Sequence, residues 1–262
     1  MSTLVNYRVD EGVAFLELCN PPANAYSYEM FRQLDDAILE ARFDDSVHVL
    51  VLCGAGEKFF CAGADISMLD GVTPKFKYNF CLHANETLLR LEHTSKLVIA
   101  AIEGHCVGGG LEVAMAADLR IAKAGSGKLG LPEVNLGVLP GTGGTQRLSR
   151  LVGKSKAIEM MVGSAMISME EGKELGLVNV LVEAESDFQA KVVEYARGFC
   201  PPGKASKAVG LIKRAVQSGQ DLSLEAGLAL ERELQQQLFQ SDDAKEGIGA
   251  FVAKRKAEFS GS

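Results

Sequence analysis

Three features that would indicate a disulfide framework, a metal site or a membrane protein are missing from this sequence. No apolar run approaches the length of a membrane-spanning helix, and the first ten residues show no signal or transit pattern. The six cysteines form no C-x-x-C pair and stand mostly in apolar runs; they are Cys19, Cys53, Cys61, Cys81, Cys106 and Cys200. We therefore expect reduced core thiols, no metal site, no membrane partner and a cytoplasmic location.

An excess of basic residues is missing as well. The 262 residues include 27 Lys and Arg against 34 Asp and Glu, which gives a formal net charge of −7. Because binding to nucleic-acid phosphates needs clustered Lys and Arg, this balance argues against a nucleic-acid partner. The length and the hydrophobic fraction of 47% are ordinary for a globular protein with one large core and a smaller lobe.

Turn-forming residues divide the chain into a strand-rich part and a helical part. Apolar runs predict strands at 13–18, 47–52, 97–102, 119–122 and 178–182, and helix-spaced apolar residues predict helices at 29–43 and 76–92. After the breaker cluster at 200–203 the pattern predicts helices only, at 205–217, 224–239 and 244–259. We expect an α/β fold, with a spiral of ββα units over 1–199 that carries the functional site, and a helical assembly lobe over 200–262.

The segment 97–112 is the most informative part of the chain. It predicts a buried strand, a tight turn, three consecutive glycines at 108–110 and then a helix. Glycines at a helix start leave the first N–H groups free and let a ligand approach the backbone, which favours negative charge on an oxygen atom. Glu112 follows Gly109 by three residues and can reach the same place. A close packing turn with a solvated glutamate explains this segment equally well.

A second strand and turn strengthen the catalytic interpretation. The apolar run 47–52 is followed by small residues that lead to Ala64, so a second free backbone N–H is expected near that residue. Two backbone donors from separate turns are what a thioester or enolate oxyanion requires.

A third segment, 129–147, completes a pattern that resembles the enoyl-CoA hydratase (crotonase) family. It contains Leu131-Pro132-Glu133 and Leu139-Pro140-Gly141-Thr142-Gly143-Gly144-Thr145-Gln146-Arg147. The likeness runs from Asn20-Pro21-Pro22-Ala23-Asn24-Ala25 to Ala250-Phe251-Val252-Ala253-Lys254-Arg255-Lys256. One departure is Lys128, which makes the loop between the two glutamates about one residue longer than in close hydratase relatives.

The resemblance implies roles for particular catalytic residues. It assigns the oxyanion-hole N–H groups to Ala64 and Gly109, and the two catalytic carboxyls to Glu112 and Glu133. Glu133 would protonate C2 of a 2-enoyl-CoA, while Glu112 would hold and deprotonate water. Because two such carboxyls titrate as a unit, the sequence does not separate acid from base.

The same resemblance implies a binding site for coenzyme A, which is part of the substrate and not a cofactor. The backbone around Ala62, Asp65 and Ile66, with Ala25 beside it, resembles the stretch that binds adenine and pantetheine. Gly141 resembles the glycine that helps to hold the catalytic water. Since the net charge is negative, local cations such as Lys58 and Lys254 must meet the anionic ligand.

Assembly is implied by the end of the chain. Phe251 and Lys254, which are three apart on one face of the predicted terminal helix, match residues that reach the coenzyme A of a neighbouring subunit. The family assembles as trimers that are commonly paired into hexamers. We therefore expect a homotrimer or a hexamer made of two trimers.

Two other functions remain open beside 2-enoyl-CoA hydration. One is a different enzyme of the same fold, such as an enoyl-CoA isomerase or a hydratase of an unusual acyl group. The other is a non-catalytic acyl-CoA binder or an RNA-binding relative. The presence of both Glu112 and Glu133 and the lack of a basic helix argue against these. The acyl pocket is expected along 68–82, a segment with few turn signals.

Overall fold

The computed structural model describes residues 2–262, and ten strands form two sheets in it. The strands are β1 (Val5–Asp10), β2 (Val13–Leu18), β3 (Val49–Gly54), β4 (Phe59–Cys61), β5 (Leu97–Ile102), β6 (His105–Val107), β7 (Leu119–Lys123), β8 (Lys128–Gly130), β9 (Ile167–Ser168) and β10 (Val180–Val182). The larger sheet has the order β1-β2-β3-β5-β7-β10, and the smaller sheet has the order β4-β6-β8-β9. Only the β1–β2 and β8–β9 pairs are antiparallel.

Eleven α-helices are present in residues 2–262. They are α1 (Tyr28–Phe43), α2 (Ile66–Asp70), α3 (Pro74–Glu92), α4 (Gly109–Met115), α5 (Gly144–Val152), α6 (Lys154–Val162), α7 (Met169–Glu174), α8 (Phe188–Arg197), α9 (Ser206–Gly219), α10 (Leu224–Phe239) and α11 (Asp242–Val252). A 3-10 turn covers Glu133–Leu136. No helix in this part of the chain is both long and apolar enough to cross a membrane.

The predicted spiral of ββα units is confirmed. β3 and β5 each lie in the large sheet and each is followed by a short strand of the small sheet and then a helix, as β3-β4-α2 and β5-β6-α4. β7 and β8 repeat the pattern and lead to the 3-10 turn. Because the units are related in this way, the ends of β4, β6 and β8 lie side by side.

The core occupies both faces of the large sheet, which explains the continuous apolar runs in its central strands. Along β3, Leu50 and Leu52 pack into one buried cluster, while Val49 and Val51 pack into the other. Every residue of β5 is buried. The predicted strand at 47–52 begins two residues later in the structure. Val47 donates its N–H to Asp44 in a turn, so pairing with β5 starts only at Val49.

The end of α11 corrects one prediction. The terminal helix was expected to span 244–259, but it ends at Val252, and Lys254 follows it with φ of +53°. Arg255 donates its N–H to Ala250, which closes the last turn around the left-handed residue, as in a Schellman motif. Phe251 and Lys254 therefore do not share one face of a continuing helix. Lys128, which was expected to lengthen a loop, begins β8.

The chain after Lys254 folds back along α11. Arg255 forms an ion pair with Glu246, with 2.6 Å between Nη1 and Oε1. The buried Asp243 carboxylate accepts the N–H groups of Ser260 and Gly261 at 2.7 and 2.8 Å. This tail packs against its own helix but does not cover Phe251, whose side chain is 85% exposed.

Candidate active site

Two backbone turns meet at the place where the sequence predicts an oxyanion hole. Tyr26 N donates to Gly63 O and Asp65 N donates to Tyr26 O. These two hydrogen bonds flank Ala64 on either side in the sequence and pair it with Tyr26. Gly109 is the first residue of α4 and has no acceptor within its own helix. A Cβ built on Gly63 would lie 3.0 Å from Gly109 N, so the turns are in close contact. In residues 2–262 neither the Ala64 nor the Gly109 amide donates to a protein acceptor.

The glycines of this turn allow the close approach. A Cβ on Gly109 would overlap the hydroxyl of Tyr26. Gly108 has φ of +56°, and a Cβ there would lie 3.2 Å from Glu133 Oε1. The three-glycine run is therefore needed both for the backbone turn and for the space that Tyr26 and Glu133 occupy.

Glu112 lies in the first turn of α4 and is only 2% exposed. Its Oε1 atom accepts the backbone N–H groups of Thr142 and Gly144, each at 2.7 Å. Burial raises the pKa of this carboxyl, and the two amide hydrogen bonds oppose the rise. The bonds hold one oxygen in place, so Glu112 is an oriented carboxyl at the N-terminus of α5.

Glu133 begins the 3-10 turn and is partly buried. Its Oε2 atom is buried and has no hydrogen-bond partner among the described residues. Burial, followed by the nearby negative charge of Glu112, raises the pKa of Glu133 to about 7. A carboxyl with this pKa exchanges its proton near neutral pH, which suits a general acid or base.

Both carboxyls and both free amides line one cavity of about 520 Å³. The rest of its wall is mainly apolar and comes from α2, the start of α3 and the segment after Glu133. The apolar lining residues from these three segments are Ile66, Leu69, Val72, Pro74, Leu136, Val138 and Leu139. Residues 69–77 belong to the segment in which the sequence analysis expects the acyl pocket.

The structure brings together most of the residues that the sequence singles out. Those on the cavity wall are Ala62, Ala64, Ile66, Gly109, Glu112, Glu133 and Gly141. Asp65 lies beside them and caps α2, because its carboxylate accepts the N–H groups of Ser67 and Met68. The hydrogen bond from the Ser67 hydroxyl contributes most to lowering the Asp65 pKa.

Four other predicted binding residues lie away from the cavity wall. The Ala25 carbonyl accepts a hydrogen bond from the Asn20 side chain at 2.6 Å. Lys58 is exposed, with its ammonium 5.7 Å from the ring centroid of Phe59. Phe251 and Lys254 are exposed at the end of α11.

Two groups to which the sequence assigns no role support the site. The Tyr26 hydroxyl lies 3.2 Å from Thr142 Oγ1, and burial raises the Tyr26 pKa well above its usual value. Arg147 forms two hydrogen bonds with the Glu92 carboxylate, at 2.8 and 2.6 Å, which fixes α5 against α3. The only signal for Tyr26 is its position directly after Ala25 in the first motif of the resemblance.

No group of three or more His, Cys, Asp or Glu residues within 2–262 is arranged to hold a metal ion. The arrangement that is present consists of two backbone donors for an oxyanion and two carboxyls with raised pKa values. It can stabilise an enolate oxygen and move protons at neighbouring atoms.

Comparisons with known proteins agree with this geometry. The model of the enoyl-CoA hydratase/isomerase family matches residues 8–262. A probable enoyl-CoA hydratase of Bacillus subtilis (strain 168) is 39% identical over 258 residues, which cover 98% of each chain. A short-chain-enoyl-CoA hydratase of Clostridium acetobutylicum is 39% identical over 94% of this chain and 93% of its own.

A solved structure is also very similar. The enoyl-CoA hydratase of Geobacillus kaustophilus HTA426 has a TM-score of 0.96 and 41% identity, over 100% of this chain and 98% of its own. The family model and this structure both extend through the two turns and the two glutamates of the cavity. The chain therefore belongs to the enoyl-CoA hydratase/isomerase family.

Proposed function

We propose that this protein adds water across the 2,3 double bond of a 2-enoyl-CoA to give a 3-hydroxyacyl-CoA. The observation that carries the proposal is the pair of carboxyls, Glu112 and Glu133, on one cavity wall with two unpaired backbone amides. The relatives named as enoyl-CoA hydratases and as a short-chain-enoyl-CoA hydratase support the same reaction.

The thioester oxygen is expected to bind between the Ala64 and Gly109 amides. Negative charge grows on this oxygen when water attacks C3, because the π electrons of the double bond move toward C2 and the carbonyl. Each backbone donor of an oxyanion hole typically contributes about 3 kcal/mol to the stabilisation of such a transition state. The α4 N-terminus adds the positive end of its dipole.

The two carboxyls divide the proton transfers. As a carboxylate, Glu112 accepts one proton from water, and the hydroxide that remains forms the new bond to C3. As a carboxylic acid, Glu133 gives its proton to C2, where the electron pair of the enolate forms the C–H bond. The sum is the addition of one water molecule, and proton exchange with solvent restores both carboxyls. Gly141 is expected to help hold the water.

Coenzyme A is bound as part of the substrate, and the reaction is proposed to need no cofactor. The backbone from Ala62 to Ile66, with Ala25 nearby, is expected to hold the adenine and pantetheine, while Lys58 faces the phosphates. Phe251 and Lys254 do not line this cavity in their own subunit, and both are exposed. We propose that they complete the site of a neighbouring copy in a trimer or hexamer.

The proposed boundary between the two lobes, after residue 199, separates the cavity from the last three helices. Residues 1–199 contain every residue of the cavity wall, whereas residues 200–262 contain α9, α10 and α11. The proposal is that the second part serves assembly and closes the coenzyme A site of a neighbour.

The direct experiment is to follow the loss of the ultraviolet absorbance of the conjugated thioester when purified protein is mixed with crotonyl-CoA. We expect 3-hydroxybutyryl-CoA as the product, identified by mass spectrometry. Formation of a 3-enoyl product from 2-hexenoyl-CoA, without addition of water, would instead indicate an isomerase. Absence of any reaction with a series of 2-enoyl-CoA thioesters would contradict the proposal.

A further inference from the structure

One cation on the cavity wall has no role in the hydration mechanism. Lys77 lies at the end of the first turn of α3 and lines the cavity together with Leu69, Val72 and Pro74. Its ammonium lies 5.7 Å from the ring centroid of Phe80, which is buried. Its side chain is therefore directed toward the interior and not along the protein surface.

Lys77 has no protein partner for its charge. No ion pair or side-chain hydrogen bond involves its ammonium in residues 2–262, and no other Lys, Arg or His lines this cavity in that range. The side chains beside Lys77 are apolar, and the ammonium of this half-buried residue makes no hydrogen bonds to the described protein atoms. A ligand that carries an anion to this wall would supply them.

The two carboxyls of the cavity do not explain why a lysine lies at this position. Burial raises the pKa of both Glu112 and Glu133, and the Lys77 charge opposes the rise in each. Its effect on Glu112 is the smallest of those that act there, and Thr142 and Gly144 already hold that carboxyl. Lys77 is therefore close enough to both carboxyls to lower their pKa values, although it forms no hydrogen bond with either of them in the described residues.

We propose that Lys77 binds a carboxylate at the far end of the acyl group, so that the preferred substrates are 2-enoyl-CoA thioesters of dicarboxylic acids. This inference rests on the proposed hydratase function. The apolar residues beside Lys77 contact the methylene groups of the acyl chain, and the ammonium pairs with the terminal carboxylate. Desolvation on binding strengthens such a pair relative to one at an exposed surface.

The same cation would also attract a phosphate of coenzyme A, and the test must separate the two anions. The matched probes are 2-hexenoyl-CoA and the thioester of the same length in which the terminal methyl group is replaced by a carboxylate. Coenzyme A and the reacting double bond are identical in both. Only the acyl terminus differs, so the ratio of the two kcat/KM values reports on recognition of the carboxylate.

The wild-type protein should hydrate the carboxylated thioester at least as efficiently as 2-hexenoyl-CoA. In Lys77→Met, which removes the charge and keeps a long side chain, the ratio of kcat/KM values should fall at least tenfold. Lys75→Met is the control, because Lys75 is exposed on the same helix and does not line the cavity. The control variant should keep the wild-type ratio.

Three results would overturn the inference. A ratio that stays unchanged in Lys77→Met would show that the acyl carboxylate is not recognised there. An equal rise in KM for both thioesters would assign Lys77 to the coenzyme A phosphates. If neither thioester is hydrated, the proposed hydratase function is wrong. Recognition of the carboxylate is then tested separately, by calorimetric binding of the saturated analogues hexanoyl-CoA and adipyl-CoA. Equal loss of affinity for both analogues in the variant would refute recognition of the carboxylate.

Discussion

The two carboxyls of the cavity differ in how their oxygen atoms are held. Glu112 has one oxygen bound by the Thr142 and Gly144 amides, whereas the buried oxygen of Glu133 has no partner in the described residues. A bound carboxylate keeps its orientation when it accepts a proton from water. A carboxyl with a pKa near 7 is still partly protonated at neutral pH, so it has a proton to donate to a carbon atom. This asymmetry supports Glu112 as base and Glu133 as acid.

Glu112→Gln and Glu133→Gln should each lower kcat for crotonyl-CoA hydration by about 10²- to 10⁴-fold, the usual range for general acid–base catalysis. Glu112→Gln should still fold, because the amide oxygen of the new side chain can accept the same two backbone N–H groups. Steady-state kinetics and circular dichroism measure the two effects. Near-wild-type turnover in either variant would refute the two-carboxyl mechanism.

The raised pKa of Glu133 also predicts how stability depends on pH. The folded state keeps this proton up to about pH 7, whereas an unfolded chain loses it near pH 4.3. The free energy of unfolding therefore falls as the pH rises between these values, and the loss is complete above pH 7. Glu133→Gln has no proton to lose, so it should be the more stable protein at pH 8 but not at pH 4.

The expected gain at pH 8 is about 1 kcal/mol, because the carboxyl is partly exposed and solvent screens its charge. That gain corresponds to a rise of about 2–4 °C in the melting temperature. Differential scanning calorimetry at both pH values measures it. Glu185→Gln, in an exposed turn, is the control and should show no such pH dependence. An unchanged or lower melting temperature for Glu133→Gln at pH 8 would contradict the prediction.

At the residue scale, the sequence predicts site residues that lie within one motif better than residues that reach the cavity from another part of the chain. Glu112 and Gly109 are close in sequence, so their spacing alone places them together. Lys77 reaches the cavity from a different helix, and its role depends on the direction of one side chain. No local pattern distinguishes Lys77 from the exposed Lys75 two residues earlier.

At the scale of elements, periodicity predicts the long elements well and the short ones poorly. The strands 13–18 and 97–102 and the helix 224–239 have the predicted bounds. β4, β6, β8 and β9 have two or three residues each, too few to show an alternating pattern. The end of α11 was missed because a lysine occupies the left-handed position at which glycine is the usual signal.

The folded-back tail gives a prediction that belongs to α11. Asp243→Ala removes the acceptor of the Ser260 and Gly261 amides and of the Ser260 hydroxyl. It should lower the free energy of unfolding by about 1–3 kcal/mol, or release the tail with faster amide exchange at these two residues. Calorimetry and hydrogen exchange measure the two effects.

Asp242→Ala is the matched control for this test. Asp242 lies in the same first turn of α11, but its carboxylate forms only an exposed ion pair with Lys245. Such a pair contributes about 0–1 kcal/mol, so this variant should keep the tail protected. Equal destabilisation by the two substitutions would mean that the helix terminus matters and the tail contacts do not.

At the scale of the whole molecule, the last three helices expose several large apolar side chains, and such side chains mark an interaction surface when they are contiguous. The exposed side chains include Ile212, Val216, Leu224, Phe239, Phe251 and Val252. Burying such residues between copies would remove them from water and would hold the C-terminal end of each subunit's α11 against a neighbouring subunit. This surface supports the proposed trimer or hexamer.

Light scattering should give a mass of three or six times that of one chain. Phe251→Ser should shift the protein toward smaller species and raise KM for crotonyl-CoA, since Phe251 is expected to contact the neighbour's coenzyme A. Phe43→Ser is the control, because Phe43 is 80% exposed on α1, outside these helices. A Phe251→Ser protein with unchanged mass and KM would exclude α11 from both roles.

All residues that line the cavity fall between Tyr26 and Thr142. Within one subunit, the chain after Thr142 therefore acts on the cavity from outside its wall, as Gly144 does by holding Glu112 and Arg147 does by fixing α5. In evolutionary terms, the chemical step and the quaternary structure can change independently. Substitutions in α9 to α11 could alter the number of subunits or their pairing while descendants keep the same hydration chemistry, and a new acyl preference could arise along 69–77 alone.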